Sequence, residues 1–371
     1  MKLRDELRDY AYNLGIDYLR VADAHPFFEE EALLRHLAAS NKYPSLAPQD
    51  ISVRCHPDRI LENARSIISV AISYLLPEKT TAEDDGLYGT TARFARVADY
   101  HTVVSERLAL LVAFLQARVG RPIRYRICVD NGPLLERAVA RRAGLGWFGK
   151  NNMLYVPKLG SWVVLGEVIT DLALPADDPV SHPDCGKCRR CQEACPTGAL
   201  ARPYQVDAER CLSAVTQMSG HIPLSLRKAM GCRVWGCDTC QLVCPWNIKA
   251  VGGRFVWSVA VAARVDLIHL LTVSKSEFLR LFGNSALAWR GRTTLQRNAA
   301  LALGNLGDPR ALEALADGLH HHGSPVVREM CAWAIGEIGG RHARHVLEDA
   351  RRTEGQPAVM KTIHRILEDG L

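Results

Sequence analysis

Seven of the chain's cysteines fall into two runs, and their spacing constrains the fold more tightly than any other feature. The first run reads Cys185-Gly-Lys-Cys188-Arg-Arg-Cys191-Gln-Glu-Ala-Cys195-Pro196. A C-x2-C-x2-C-x3-C-P run spaces thiolates around a cubane iron–sulfur cluster, and its fourth cysteine reaches across to a second cluster. The second run, Cys237-Asp-Thr-Cys240-Gln-Leu-Val-Cys244-Pro245, repeats the last three cysteines of that pattern. Two [4Fe–4S] clusters are therefore expected. One takes Cys185, Cys188, Cys191 and Cys244. The other takes Cys195, Cys237 and Cys240 and is one thiolate short. Val234 stands where that thiolate should be, leaving Cys211 and Cys232 as nearby candidates. Spacing favours Cys211, because a distant segment can supply a ligand without straining the run.

Zinc and disulfides compete for the same cysteines. Zinc sites close with pairs of cysteines more than with triplets followed by Cys-Pro. Disulfide frameworks belong to small secreted domains, whereas this chain has 371 residues and no secretory pattern at its start. Leu3, Leu7, Tyr10, Leu14 and Tyr18 recur at helical spacing there instead. No apolar run is long enough to span a bilayer. A reducing, cytoplasmic compartment and no membrane partner are the expectation. The formal charge of +6 permits an anionic partner without requiring one.

Residues 1–180 read as an α/β domain. Residues 66–75 form a β-branched apolar run, a buried strand by pattern. Residues 105–119 carry leucines at helical spacing and stop at Gly120; residues 125–129 read as a strand leading to Asp130-Asn-Gly-Pro133, and residues 134–143 as a helix closed by Gly144. Residues 162–169 give another strand, and 175–183 a Pro/Asp-rich linker. Gly144, Gly146 and Gly149 match G-x-G-x-x-G, but after a helix and not a strand, so they read as a helix-closing loop and not as a nicotinamide site. Residues 181–250 form a ferredoxin-type two-cluster domain, and 251–371 a helical one. In the latter, residues 298–307 match 330–339 at an offset of 32, the mark of a HEAT-like α-solenoid. Arg280, Arg290, Arg292 and Arg297 lie in a stretch, 278–307, that has no acidic residue. Their guanidinium forks suit phosphate oxygens, which points to nucleic acid.

Several motifs follow one another in fixed order: Asp99-Tyr100-His101, Val129-Asp130-Asn-Gly-Pro133-Leu-Leu-Glu136-Arg137, Ala143-Gly144-Leu-Gly146-Trp147-Phe-Gly149-Lys150-Asn151, Gly160-Ser161-Trp162, Leu165-Gly166-Glu167, both cysteine runs, and Trp246-Asn247 after the second. In this order they resemble the epoxyqueuosine reductase family of cobalamin-dependent iron–sulfur enzymes, from the start of the chain into the repeats. The resemblance implies reduction of epoxyqueuosine to queuosine at the wobble position of tRNA. It implies base-off cobalamin in the amino-terminal domain, reduced by electrons from the clusters, and Cys211 as the outlying ligand. Asp130 aligns with the family's proton donor; taken alone, an aspartate before Asn-Gly-Pro is a turn or capping residue.

Tyr100 and His101 are candidates to line the cobalamin or substrate pocket, with His101 not expected as an axial ligand. Lys150 and Asn151, after the glycine-rich turn, are candidates to hold cofactor amides or phosphate, and Ser161 is a further cofactor-binding candidate. Ser213, Thr216 and Gln217 follow Cys211 where the family touches its cofactor. Arg290, Arg292 and Arg297 are the expected tRNA contacts. A separate electron donor is required, and a monomer is expected. Departures from the family pattern are Thr216-Gln217-Met218 where Thr-Ile-Glu is common, Asn131-Gly132 after Asp130, and the extra thiol Cys232. The competing functions are a reductive dehalogenase-like enzyme with the same cofactors and an electron carrier with a docking solenoid. The arginines and the repeats favour tRNA over a small organohalide.

Overall fold

A computed structural model describes residues 2–77, 85–130, 132–180 and 184–369. Asn131 of the expected turn and residues 181–183 of the expected linker lie outside them. The strands, in chain order, are β1 (Tyr18–Asp23), β2 (Ser66–Ser73), β3 (Tyr88–Thr91), β4 (Tyr125–Cys128), β5 (Trp147–Phe148), β6 (Leu154–Tyr155), β7 (Val163–Thr170), β8 (Arg233–Trp235) and β9 (Arg264–Asp266). Two compact units emerge. One comprises Met1–Glu78, Val97–Glu209 and Thr239–Ser258; the other comprises Lys79–Arg96, Arg210–Asp238 and Val259–Leu371. The region 181–250, expected as one cluster domain, is thus shared between them. No helix among the described residues is long and apolar enough to cross a membrane.

The first unit is built on an antiparallel sheet of order β1-β2-β7-β4. β2 is buried along its whole length, as its unbroken β-branched run requires of a central strand. The helix Tyr100–Val119 lies against β7. It starts at Asp99, whose side chain accepts the His101 N–H, and stops at Gly120 in the left-handed conformation. Gly166 of β7 lets the helix come close, since a Cβ there would stand 2.5 Å from Val104 and 3.0 Å from Leu108. The helix Glu136–Arg142 follows β4 and gives way to Gly144 at φ 77°. The glycine-rich stretch beyond it leads into the hairpin β5–β6, where a Cβ on Gly146 would lie 2.0 Å from the Tyr155 carbonyl oxygen. That is the expected helix-closing loop. At the amino terminus the helix covers only Lys2–Asn13, because Gly15 at φ 81° breaks it and Tyr18 enters β1.

The second unit holds a sheet of order β8-β3-β9 and a stack of helices. The matched segments 298–307 and 330–339 form the carboxy-terminal parts of helices Gly291–Leu306 and Pro325–Ile338, with Gly307 and Gly339 at φ 67° and 68° ending them. The two helices pack through Gly304, where a Cβ would come 2.7 Å from Ala334 Cα. Helices Leu312–His321, Gly340–Thr353 and Pro357–Asp369 complete the repeats.

Arg297 corrects an expectation. It is not a phosphate contact but a core residue, 1% exposed. Its guanidinium donates to the Met218 carbonyl at 2.6 Å, the Gly220 carbonyl at 2.8 Å, the Thr216 carbonyl at 3.3 Å and Asn298 Oδ1 at 2.8 Å. Asn298 in turn donates to the carbonyls of Thr216 and Val234, each at 2.8 Å. The pair thus gathers the loop after Cys211 and strand β8 onto the first solenoid helix. Removing the fork leaves several buried carbonyls without donors, each at a desolvation cost of about 1 kcal/mol or more. Arg297→Met should lower stability by roughly 2–4 kcal/mol, read as a lower urea midpoint. Arg297→Lys should recover only part of the loss, because one ammonium cannot span carbonyls arranged for a planar fork.

Candidate active site and cluster cysteines

β4 delivers the chain to Asp130, which adopts φ 56°. That left-handed backbone is uncommon outside glycine, though aspartate tolerates it better than most residues. It turns the carboxyl outward: the Asp130 side chain is 65% exposed. Two groups fix it. The Asp130 N–H donates to the Glu136 carboxyl at the start of the next helix, and the Tyr100 hydroxyl donates to Asp130 Oδ2 at 2.5 Å. Tyr100 is nearly buried in the first turn of its own helix and stacks on His101 with ring centroids 4.1 Å apart. Asp99, capping that helix, also takes His101 Nδ1 at 2.7 Å, which leaves Nε2 facing Asp130 Oδ2 at 3.8 Å. Tyr100, His101 and Asp130, three of the residues predicted from sequence, are therefore one site.

Two further carboxyls stand behind Asp130. Glu167 of β7 pairs across the sheet with Ser69 of β2 and Cys128 of β4, so the three share one face. The Glu167 side chain is wholly buried; Oε1 accepts from the Ser69 hydroxyl at 2.9 Å, and Oε2 has no hydrogen-bond partner. Burial, then the nearby Glu136 and Asp130, pushes its carboxyl well above the usual range. Glu136 is pushed up to about 8, by burial first and then by Asp130, against the weaker pull of Arg137 and Arg54. The Cys128 thiol is raised to about 12 by burial and by both glutamates. Glu136 holds the Asp130 turn through the Asp130 N–H. In the sequence Glu167 stood out only as the last residue of the Leu165-Gly166-Glu167 motif, with no role attached.

Of the remaining cofactor candidates, several are corrected by their burial and partners. Ser161 is buried, its hydroxyl donating to Gln241 Oε1 and accepting from Asn247 Nδ2, both at 2.8 Å. Asn151 is also buried, between the Tyr155 hydroxyl at 3.0 Å and the Met153 N–H. Neither side chain is available to a cofactor, and Ser161 instead fixes the segment that carries Cys240 and Cys244. Lys150 Nζ donates to the carbonyls of Gly186 and Cys188, clamping the first cysteine loop. Thr216 is likewise buried, donating to the Ser213 carbonyl and accepting the Gly236 N–H. Gln217 donates to the Ser213 carbonyl and accepts from Trp289 Nε1 at 3.3 Å. Trp289 is 55% exposed, and the Arg290 guanidinium stacks on it at 3.8 Å. Arg292 is partly buried and donates to the Val273 carbonyl.

No cysteine forms a disulfide. Cys185, Cys188, Cys191 and Cys244 lie together in the first unit: burial, then the other three thiols, raises Cys191. Mutual repulsion of that kind is what a set of four thiolates around one iron–sulfur cube must overcome, and it suits the donor set. Tyr155 hydrogen-bonds the Cys244 thiol. Burial would raise Cys195, but the N–H groups of Thr197, Ala199 and Leu200 and the Thr197 hydroxyl pull it below its ordinary value. Hydrogen bonds to cluster sulfurs of this kind tune reduction potential. Cys240 belongs to the first unit with Cys195, and Cys211, Cys232 and Cys237 to the second. Among the described residues no group of three or more His, Cys, Asp or Glu forms a single-ion site.

The raised Glu136 carboxyl has a consequence for stability. Folded protein keeps a proton there that the unfolded chain releases above about pH 4.5, so stability falls as pH climbs toward and through 8. Glu136→Gln still accepts the Asp130 N–H but cannot ionise. Urea titrations should show wild type losing roughly 1–3 kcal/mol more than this variant between about pH 5 and pH 9.

Comparison with known proteins identifies the family. A family model described as epoxyqueuosine reductase QueG, DUF1730, matches residues 54–131; a 4Fe-4S double cluster binding domain matches 184–247, and HEAT repeats match 286–363. The epoxyqueuosine reductase of Staphylococcus aureus is 37% identical over 333 residues, 88% of this chain and 86% of that one. That of Bacillus subtilis is 37% identical over 337 residues, covering 88% and 85%. A crystal structure of epoxyqueuosine reductase with an epoxyqueuosine-modified tRNA-Tyr stem loop superposes with a TM-score of 0.93 at 36% identity, covering 100% of this chain and 99% of that one. A Bacillus subtilis structure, with its catalytic aspartate loop swung out of the active site, gives 0.91 at 35% identity over 99% of this chain and 98% of that one. With identity at this level along nearly its whole length, the chain belongs to the epoxyqueuosine reductase family.

Proposed function

We propose that this chain reduces epoxyqueuosine to queuosine in tRNA, with Asp130 as the acid. The observation that carries the reading is the Asp130 carboxyl itself, turned outward by a left-handed backbone and gripped from behind by Tyr100 and Glu136. A Bacillus subtilis relative has a catalytic loop named for an aspartate; Asp130, on the turn after β4, is the counterpart proposed for this chain. Electrons enter one at a time through two [4Fe–4S] clusters held by the eight cysteines Cys185, Cys188, Cys191, Cys195, Cys211, Cys237, Cys240 and Cys244, from a separate one-electron donor. Cobalamin, when bound beside Tyr100 and Asp130, would supply the low-potential electrons that the reduction needs.

Residues of this chain handle the oxygen. Opening the ring leaves negative charge on it, and an acid held against it lowers the barrier, typically by a factor of 10² to 10⁴. Tyr100 orients the Asp130 carboxyl by donating to Oδ2. Tyr100 and His101 both stand beside Asp130 Oδ2, at 2.5 and 3.8 Å, and we assign them to the surroundings of the reacting oxygen. For tRNA, the accessible pair is Trp289 with Arg290: an exposed indole backed by a cation presents a stacking face for an unpaired base. Arg292 supplies a further charge nearby in sequence.

Anaerobic turnover tests the reading. Protein with clusters and cobalamin loaded, given a one-electron reductant and epoxyqueuosine tRNA, should yield a nucleoside lighter by one oxygen. Asp130→Asn, which keeps the left-handed turn, should slow this by ~10²-fold or more. Conversion at wild-type rate in that variant would remove Asp130 from the acid's role, and no conversion by loaded wild type would sink the function. Trp289→Ala should weaken binding of the tRNA stem loop by about 5- to 100-fold, read by fluorescence titration, with turnover at saturating tRNA little changed.

A further inference from the structure

Removing an epoxide oxygen as water takes two electrons and two protons, and both protons go to the same oxygen. The first C–O bond breaks as that oxygen receives a proton and becomes a hydroxyl. The second breaks as the hydroxyl receives another and departs as water, leaving the carbon–carbon double bond. The two electrons come from the external one-electron donor by way of the clusters. One aspartate carries one proton. Asp130, once it has donated, must be reprotonated within the same turnover or the hydroxyl leaves as hydroxide, a far poorer leaving group.

The groups around Asp130 differ sharply in their fitness for this. Tyr100 touches Oδ2, but it is a buried phenol held further toward its neutral form by burial and by the Asp130 charge, so it orients the carboxyl without surrendering its proton. Glu136 faces the Asp130 backbone N–H, and Glu167 is shut inside the sheet against Ser69. Arg137 and Arg54, the cations beside Glu136, do not give up protons in this range. His101 remains. Its Nε2 faces the same Oδ2 at 3.8 Å, and its side chain is 25% exposed, open to protons from water. Nδ1 is anchored on Asp99 at 2.7 Å, in the first turn of a twenty-residue helix. Asp99, kept below its ordinary range by that hydrogen bond, stays ionised and stabilises the ring when it carries both protons.

Resting on the proposed reaction, we infer that His101 is a proton-relay residue: it takes a proton from water and hands it from Nε2 to Asp130 between the two protonations of the departing oxygen. Closing 3.8 Å to hydrogen-bond length takes about 1 Å of side-chain motion, or one bridging water; such contacts are commonly long before substrate binds. His101 is thereby moved from the cofactor-binding role expected of it to one exercised through Asp130.

Single-turnover deoxygenation by reduced, loaded holoenzyme tests this, with His101→Ala and His101→Gln beside wild type. Iron and cobalamin contents, and the KM for tRNA, should be unchanged in both variants. Turnover should fall ~10²-fold near pH 8 and much less near pH 6, where solvent protons reload Asp130 directly. Added imidazole should restore His101→Ala at least about tenfold and leave His101→Gln, whose amide fills the space, unaffected. Wild-type rates in both variants, or an equal loss at both pH values with no imidazole rescue, would overturn the relay. Inactivity of wild type itself would instead strike at the proposed reaction.

Discussion

Tyr100 reaches Asp130 across 2.5 Å, and much of the first unit exists to keep that distance. The tyrosine sits in the opening turn of a helix whose start is fixed by the Asp99 cap and whose body rests on β7. Gly166 sets how closely helix and strand approach, because any side chain there would collide with Val104. Glu167 is the next residue along β7. The same strand therefore places the helix that carries Tyr100 and His101 and, one residue on, the buried acid behind Asp130. A shift of β7 by one residue would turn Glu167 to the opposite face and bring a bulky side chain under the helix. Site geometry and sheet register are in this sense one constraint.

Three carboxyls near one another cannot all ionise without mutual repulsion, and the protein resolves this by depth. Glu167 has no route to water, and burial pushes its carboxyl well above the usual range. Glu136 is intermediate, and its carboxyl doubles as the acceptor that stabilises a backbone conformation few residues adopt willingly. Only Asp130 is turned outward. Arg137, exposed beside Glu136, is lowered from its ordinary value by the protein packed around it, against the pull of Asp130 and Glu136. Charges placed in such surroundings interact over longer distances than they would in water.

What could be read from the sequence divides along physical lines. The double-cluster domain was legible because a rigid cube imposes spacing on the chain itself, so cysteines such as Cys185, Cys188 and Cys191 must be close in sequence to be close in space. The repeat of 298–307 at 330–339 was legible because two helices solve the same packing problem, both ending in a left-handed glycine. Arg297 was misread for a reason equally physical. A guanidinium fork that suits phosphate suits a fan of backbone carbonyls just as well, and only burial distinguishes them. Ser161 and Asn151 were misplaced because a motif signals that a residue matters without saying to what. Ser161 matters to Asn247 and Gln241, eighty and more residues away. Nor could any local pattern show that Ser69, Cys128 and Glu167 form one row, since register across three strands is a tertiary fact.

Asp99 shows how little extra structure the site needed. A helix cap has to be a short side chain with an acceptor at its tip, and aspartate meets that need while bringing a charge. Its carboxyl satisfies the His101 N–H, which any helix start requires, and the same oxygen takes the His101 ring nitrogen. Capping thus selects the tautomer: with Nδ1 bound to Asp99, Nε2 is the nitrogen left for Asp130. Serine or asparagine would cap the helix about as well, and neither would hold a positive charge on the ring. The identity of the cap is therefore set less by the helix than by the proton that has to pass its second residue.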